Sequence, residues 1–178
     1  MRKVLNKVFF ERSSLSVAER LLGKFLVKKS RGKERAYMIT EVEAYDGFKD
    51  KASHAHRGRT MRNEVMFGQA GYWYVYFVYG MYNMLNIVIG KKDYPAAVLI
   101  RGVDGINGPG KLTKTLRIDR KFNKKKADKK TGLWIEDRGI KIKKDEIKKT
   151  PRIGVGYAGK YTKKPYRFVL VKNNHLAI

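Results

Sequence analysis

Residues 65–90 form a run of 26 without one charged side chain, in a chain of 178 residues whose formal net charge is +25. Apolar surface leaves water when it can, so such a run is either buried or meets an uncharged surface. About 20 uncharged residues suffice to cross a bilayer. Residues 72–89, however, hold five of the chain's eleven tyrosines, two asparagines and a central glycine, a poor surface to set against hydrocarbon. Aromatic and β-branched content favours extended chain instead. A β-hairpin fits, with strands over residues 72–79 and 82–89 meeting at Gly80 and Met81, and Gly80 at the first central position of a type II′ turn.

That hairpin carries Tyr79 and Met81 to its tip. Two readings are open: a wedge of the kind that base-flipping proteins push between base pairs, or an ordinary core hairpin. The charge bears on the choice, because 41 Lys and Arg against 16 Asp and Glu call for a polyanionic partner. Nucleic acid comes first and an acidic membrane surface second. Length and a hydrophobic content of 43% suit a single domain, 1–178, with its own core. Cysteine is absent, which excludes disulfides and Cys-ligated metal, and three scattered histidines make no zinc site. No metal or other cofactor is expected. The first residues lack the apolar run of a secretion signal, so an intracellular protein is expected, in cytoplasm or nucleoid if bacterial, and not one held in a membrane.

Along the chain, Ser16 and Glu19 have the spacing of a capping box for a short helix running to Leu22 and ended by Gly23. A strand over residues 24–29 and a turn over 30–33 follow. In the next strand, residues 36–45, a period of two sets Ile39, Glu41, Glu43 and Tyr45 on one face and Met38, Thr40, Val42 and Ala44 on the other. Carboxylates between apolar neighbours either pair with a cation or perform chemistry. Residues 46–62 read as a long, basic surface loop with His54, Arg57, Arg59 and Arg62. Residues 94–101 read as a buried strand ending on Arg101, whose planar fork needs a carboxylate or phosphate. A turn at residues 107–110 precedes a helix with Leu112 and Leu116 on one side. Residues 111–152 carry 17 basic and 6 acidic side chains, and the lysine-rich part, 121–130, reads as a solvated, mobile loop. A glycine-rich turn at 152–157 and a strand at 165–171 close the chain.

Seven blocks, in order, resemble the alkyladenine (3-methyladenine) DNA glycosylase family: Glu41 to Tyr45; His54; Arg62-Asn63 with Met66-Phe67; Tyr74 to Tyr82 with Asn86; Leu99-Ile100-Arg101; Gly108 to Leu112; and Arg152 to Gly156. The resemblance spans residues 16–171. It implies a mixed α/β (α+β) fold, a single compact domain with a curved antiparallel sheet, surrounding helices and a projecting hairpin that enters DNA. It also implies a monofunctional, monomeric enzyme that flips alkylated or deaminated purines out of duplex DNA and hydrolyses the N-glycosidic bond, leaving an abasic site.

Matched residue by residue, the resemblance makes Glu43 the general base that activates water and Arg101 the partner that helps hold that water and keeps Glu43 ionised. Such a carboxylate also stabilises the positive charge that builds on the sugar. Tyr45 and His54 match one wall of a base pocket and Tyr76 the opposite wall. Asn86 matches the side chain that crowds the exocyclic amino group of guanine. Tyr79, Met81 and Arg62 match residues set against DNA, Tyr79 in the gap left by the flipped nucleotide and Met81 as a wedge beside it. Glu41 matches no catalytic position. A different class of function, a nonenzymatic binder of RNA or abnormal DNA with Glu43 as a structural acid, explains the charge equally well. A lyase would need a desolvated lysine in the matched pocket, where none stands.

Overall fold

The computed structural model describes residues 2–78 and 80–171. The chain opens with β1 (Lys3–Val4), α1 (Lys7–Phe10) and α2 (Ser14–Leu21), followed by β2 (Phe25–Ser30) and the long β3 (Lys33–Asp46). Two-residue turns joining antiparallel strands favour positive φ, and Arg31 (φ 49°) and Gly32 (φ 76°) supply it between β2 and β3. After the loop come β4 (Trp73–Val78), β5 (Tyr82–Val88), β6 (Ala96–Val103), β7 (Ile106–Asn107) and α3 (Pro109–Thr115). The last strands are β8 (Leu133–Asp137), β9 (Ile147–Thr150) and β10 (Arg167–Leu170).

These ten strands form one sheet, ordered β1-β8-β2-β3-β6-β5-β4, with β10 on β3, β9 on β10 and β7 on β6. Every pairing is antiparallel. The expected α+β architecture is present, with short helices. The 14 residues of β3 make it the pivot: its first half pairs with β2 and its second half with β6 and β10. The inner face buries Val17 and Leu21 of α2, Leu112 of α3, and Ile39, Val42, Trp73, Leu85 and Ile100 of the sheet. No helix among the described residues is long and apolar enough to cross a membrane.

Four expectations need correction. The helix starts at Ser14, not Ser16, and Ser13, its N-cap, makes no side-chain cap. Glu19 is drawn away from any capping role by Lys149, 2.7 Å from its carboxylate. The hairpin turn has three residues between the paired Val78 and Tyr82 rather than two, and the Val78 carbonyl accepts the Met81 N–H at 3.1 Å, with Gly80 at φ 66°. Tyr79 lies outside the described residues.

The lysine-rich stretch is no free loop. Trp73 and Lys124–Lys125 exchange backbone hydrogen bonds of 2.8 and 2.9 Å, Asn123 Oδ1 accepts the Val75 N–H, and the Ala127 N–H reaches Gly71. Phe122 and Ala127 are buried while Lys124, Lys125 and Lys126 point outward. The segment covers the free edge of β4, where unpaired N–H and C=O groups would otherwise offer a template for another chain. Lastly, the period of two in β3 breaks. Its register against β6 shifts between Ile39 and Glu41 and again between Glu41 and Val42. Ile39 therefore faces the core with Val42 and Ala44, while Glu43 and Tyr45 face the other way.

Candidate active site

The register shifts skip Thr40 on β3 and Arg101 on β6, so neither has a cross-strand partner. A bulge bends the ladder and re-aims a side chain. Arg101 is aimed between the two acids of β3: its Nε donates to Glu41 Oε1 at 2.8 Å and its Nη1 stands 3.5 Å from Glu43 Oε1. Gly102, opposite Glu41, leaves room for this, since a Cβ there would meet Glu41 Oε2 at 3.5 Å and its Cβ at 3.3 Å. The strand does not end on Arg101, as expected from sequence, but continues to Val103.

Glu43 has 0% exposure. Its Oε2 accepts the Tyr45 hydroxyl at 2.9 Å and its Oε1 accepts the Ile153 N–H at 2.8 Å. Burial is the largest influence on its pKa and pushes it above the ordinary carboxylate range. Arg101, the Ile153 N–H, the Tyr45 hydroxyl and Arg152 act in the opposite direction. Arg101 thus favours the ionised form, as the sequence implied, but burial outweighs it. Every partner of the carboxylate is a donor, an arrangement that suits the anion and offers nothing to accept a proton from the acid form. Burial first, then the Glu43 charge, raises the Tyr45 pKa well above its ordinary value, so Tyr45 stays a donor.

Ile153 is brought to Glu43 by its neighbour. Arg152 is buried and bonds both carboxylate oxygens of Asp50 and the Ala44 carbonyl. Its guanidinium lies over the rings of Tyr45, at 4.8 Å, and Tyr166, at 5.1 Å. Asp50 in turn accepts the N–H groups of Asp46 and Ala52. This clamp ties the loop after β3 to the loop after β9. Sequence reading did not single out Asp50, one acid in a basic loop, because nothing local announces a partner 102 residues away.

In front of Glu43 opens a cavity of about 560 Å³, lined by Tyr45, His54, Arg62, Tyr76, Asn86 and Arg101 among others. Sites for small aromatic ligands are commonly this large. Glu43 is not in the lining: it sits behind Tyr45, Arg101 and Ile153, which are. Strands β4 and β5 contribute Tyr74, Tyr76, Met84 and Asn86. Asn86 donates its amide N–H groups to the Tyr74 and Met84 carbonyls, both at 3.2 Å. His54 reaches the cavity on a loop folded around Asn63, whose amide donates to the His54 and Gly58 carbonyls. His54 and Tyr76 do not face each other across a gap. Their rings touch edge to face, with centroids 4.5 Å apart and planes at 71°. Met81 is 63% exposed at the hairpin tip, outside the cavity. Arg62 lies over Tyr76 at 5.4 Å and donates to the Phe77 carbonyl at 3.4 Å.

The rings of this wall are uncharged, with the Arg62 guanidinium beside them. Burial, and next Arg62, lower the His54 pKa to about 4, although one side of the ring is open to the cavity. Burial raises Tyr74 to about 12 and Tyr76 further still. A buried, charge-paired acid behind a cavity walled by uncharged aromatic rings suits a flat ring whose bond to a sugar is to be cut, and a family model described as methylpurine-DNA glycosylase matches residues 8–107 and 104–174. The chain belongs to that family.

Its relatives include proteins from Methanocella arvoryzae (44% identical, covering 93% of this chain and 91% of the relative), Ehrlichia chaffeensis (45%, 94% and 93%) and Legionella pneumophila strain Paris (41%, 99% of both). Each is provisionally named a 3-methyladenine DNA glycosylase. Family membership agrees with the resemblance carried by the seven sequence blocks. The clamp of Asp50 and Arg152, the Ile153 N–H and the contact of Tyr74 with His54 are features of the site that those blocks did not assign.

Proposed function

We infer that this protein is a monofunctional DNA glycosylase, which flips alkylated or deaminated purines out of duplex DNA and hydrolyses the N-glycosidic bond with a water activated by Glu43. The observation that carries the reading is Glu43 itself, fully buried, held by donors from three different segments and set directly behind a cavity of aromatic walls. As the bond breaks, positive charge builds on the sugar. A carboxylate whose anionic form is favoured by Arg101 and two hydrogen bonds against the cost of burial stabilises that charge and takes the proton of the attacking water. To reach the water, Glu43 needs one of its covering groups to yield, and Tyr45 covers Oε2.

Stacking against Tyr45, His54 and Tyr76 contributes about 1 to 3 kcal/mol per base and tolerates different ring substituents. Asn86, fixed by two backbone carbonyls, crowds the edge of the base and rejects guanine by its amino group. Tyr79, together with Met81 at the hairpin tip, fills the gap left by the flipped nucleotide, Arg62 and the exposed lysines hold phosphates, and the protein acts as a monomer in the cell. The complete burial of Glu43 favours a second reading, a nonenzymatic DNA binder in which Glu43 is a structural acid. A single-turnover assay on duplexes carrying one hypoxanthine or one 7-methylguanine separates the two. Release of free base by the native chain and not by Glu43→Gln supports the enzyme, whereas tight binding with no release of either base supports the binder.

A further inference from the structure

The aromatic wall contains a pair of polar side chains that fixes one proton. Nδ1 of His54 and the hydroxyl oxygen of Tyr74 are 2.9 Å apart, and the nearby Arg62 guanidinium acts electrostatically on the same phenol. A guanidinium can only donate. Tyr74 is 2% exposed, so if Nδ1 also carried a hydrogen the phenol's own proton would find no acceptor among the described residues, a costly arrangement. The hydroxyl therefore donates to Nδ1, and the proton of the neutral imidazole resides on Nε2. Among the described residues Nε2 has no partner, and the exposed His54 ring lines the cavity. Its backbone is pinned as well, with the carbonyl accepting Asn63 Nδ2 at 2.9 Å.

We propose that the Nε2–H of His54, held in this tautomer by Tyr74, is the hydrogen-bond donor that serves neutral damaged purines, with Tyr74 as its positioning residue. This rests on the glycosylase reading above. When the N-glycosidic bond breaks, its electron pair leaves with the purine. A cationic alkylated purine becomes neutral and needs no help. A neutral purine such as hypoxanthine becomes an anion, and a hydrogen bond from Nε2–H to a ring nitrogen or the exocyclic oxygen takes up part of that charge. The proton stays on His54, the water's hydroxyl goes to the sugar, and the free base takes its last proton from solvent.

Two measurements test the proposal. Long-range proton–nitrogen NMR on histidine-labelled protein reads which ring nitrogen of His54 is protonated, the signal being assigned by its loss in His54→Gln. The expected result is Nε2–H in the native protein and a shift toward Nδ1–H in Tyr74→Phe, while Nδ1–H in the native protein overturns the proposal. This readout needs no substrate and so is independent of the glycosylase reading.

The second measurement is single-turnover release from duplexes carrying hypoxanthine or 7-methylguanine. Tyr74→Phe is expected to lower the hypoxanthine rate at least tenfold relative to the 7-methylguanine rate. His54→Gln, a change at an exposed ring, should do the same even if Tyr74→Phe fails to fold. Equal losses on the two substrates overturn the donor's role. No release of either base by the native protein overturns the glycosylase reading and the donor's role with it, whatever the tautomer.

Discussion

On the wall built from β3 and β6, Glu41, Glu43 and Arg101 keep their charges under cover by pairing with one another, and Arg167 joins them with its Nε 2.7 Å from Glu41 Oε1. On the wall built from β4 and the preceding loop, the buried Tyr74, the half-buried Tyr76 and His54, open on one side, hold no charge. Desolvation raises the pKa of an acid and lowers that of a base, so burial moves Glu43 up and His54 down. A paired charge can stabilise a developing cation, while an uncharged aromatic surface can accept rings of either charge. One wall is suited to chemistry and the other to recognition, and separate substitutions can test that division.

The largest effect is expected on the charged wall. Glu43→Gln should lower the single-turnover rate about a thousandfold, within the range general base catalysis contributes, and leave duplex binding unchanged or tighter, since a carboxylate repels phosphate. A loss of binding that equals the loss of rate would erase the division. Next, Asp50→Ala leaves the buried Arg152 without its carboxylate and should cost about 3 to 5 kcal/mol in urea unfolding, because an uncompensated buried charge is worse than none. If stability drops by less than about 1 kcal/mol, the clamp does not hold the Ile153 N–H on Glu43. On the neutral wall, Tyr76→Ala should weaken the half-saturating concentration of lesion duplex by about 1 to 3 kcal/mol of lost stacking, with a smaller change in the saturated rate. A loss confined to the saturated rate would move Tyr76 from recognition to chemistry.

The two walls also differ in how far the sequence announced them. The hairpin was legible because an uncharged, aromatic run in a basic chain has few other places to go, and the observed strands Trp73–Val78 and Tyr82–Val88 lie within the expected ones. The acids of β3 were legible as a pair, but the bulge that turns Arg101 onto both was not, since an alternation rule has no term for an inserted residue. Long-range partners were hidden for a simpler reason. Glu19 finds Lys149, Asp50 finds Arg152 and the lysine-rich segment finds the edge of β4 through tertiary packing, which local spacing does not encode. Lysine content correctly predicted exposed side chains over 124–126 and said nothing of the backbone beneath them, which pairs with Trp73 and Val75.

The smallest effect expected is also the one that compares the walls most directly, the dependence of stability on pH. For His54 the folded pKa, about 4, lies below the ordinary 6.5. Between those values the unfolded chain binds a proton that the folded chain does not, so His54 withdraws stability as pH falls from about 6.5 toward about 4. The open side of the ring makes the effect modest, because solvent screens it. For Glu43 the folded pKa lies above 4.5, so in the window just above 4.5 the folded chain is the one that binds the extra proton. Acidification therefore relieves the cost of burying that charge. Removing each group should tilt the stability profile in opposite directions. His54→Gln flattens the loss of stability on acidification, and Glu43→Gln steepens it. Urea unfolding of both variants and the native chain between pH 4 and pH 7, the ordinary titration range of these groups, provides the comparison. Slopes that change in the same direction would mean that burial does not act on the two walls with opposite sign, and the contrast between a charged wall and a neutral one would lose its physical basis.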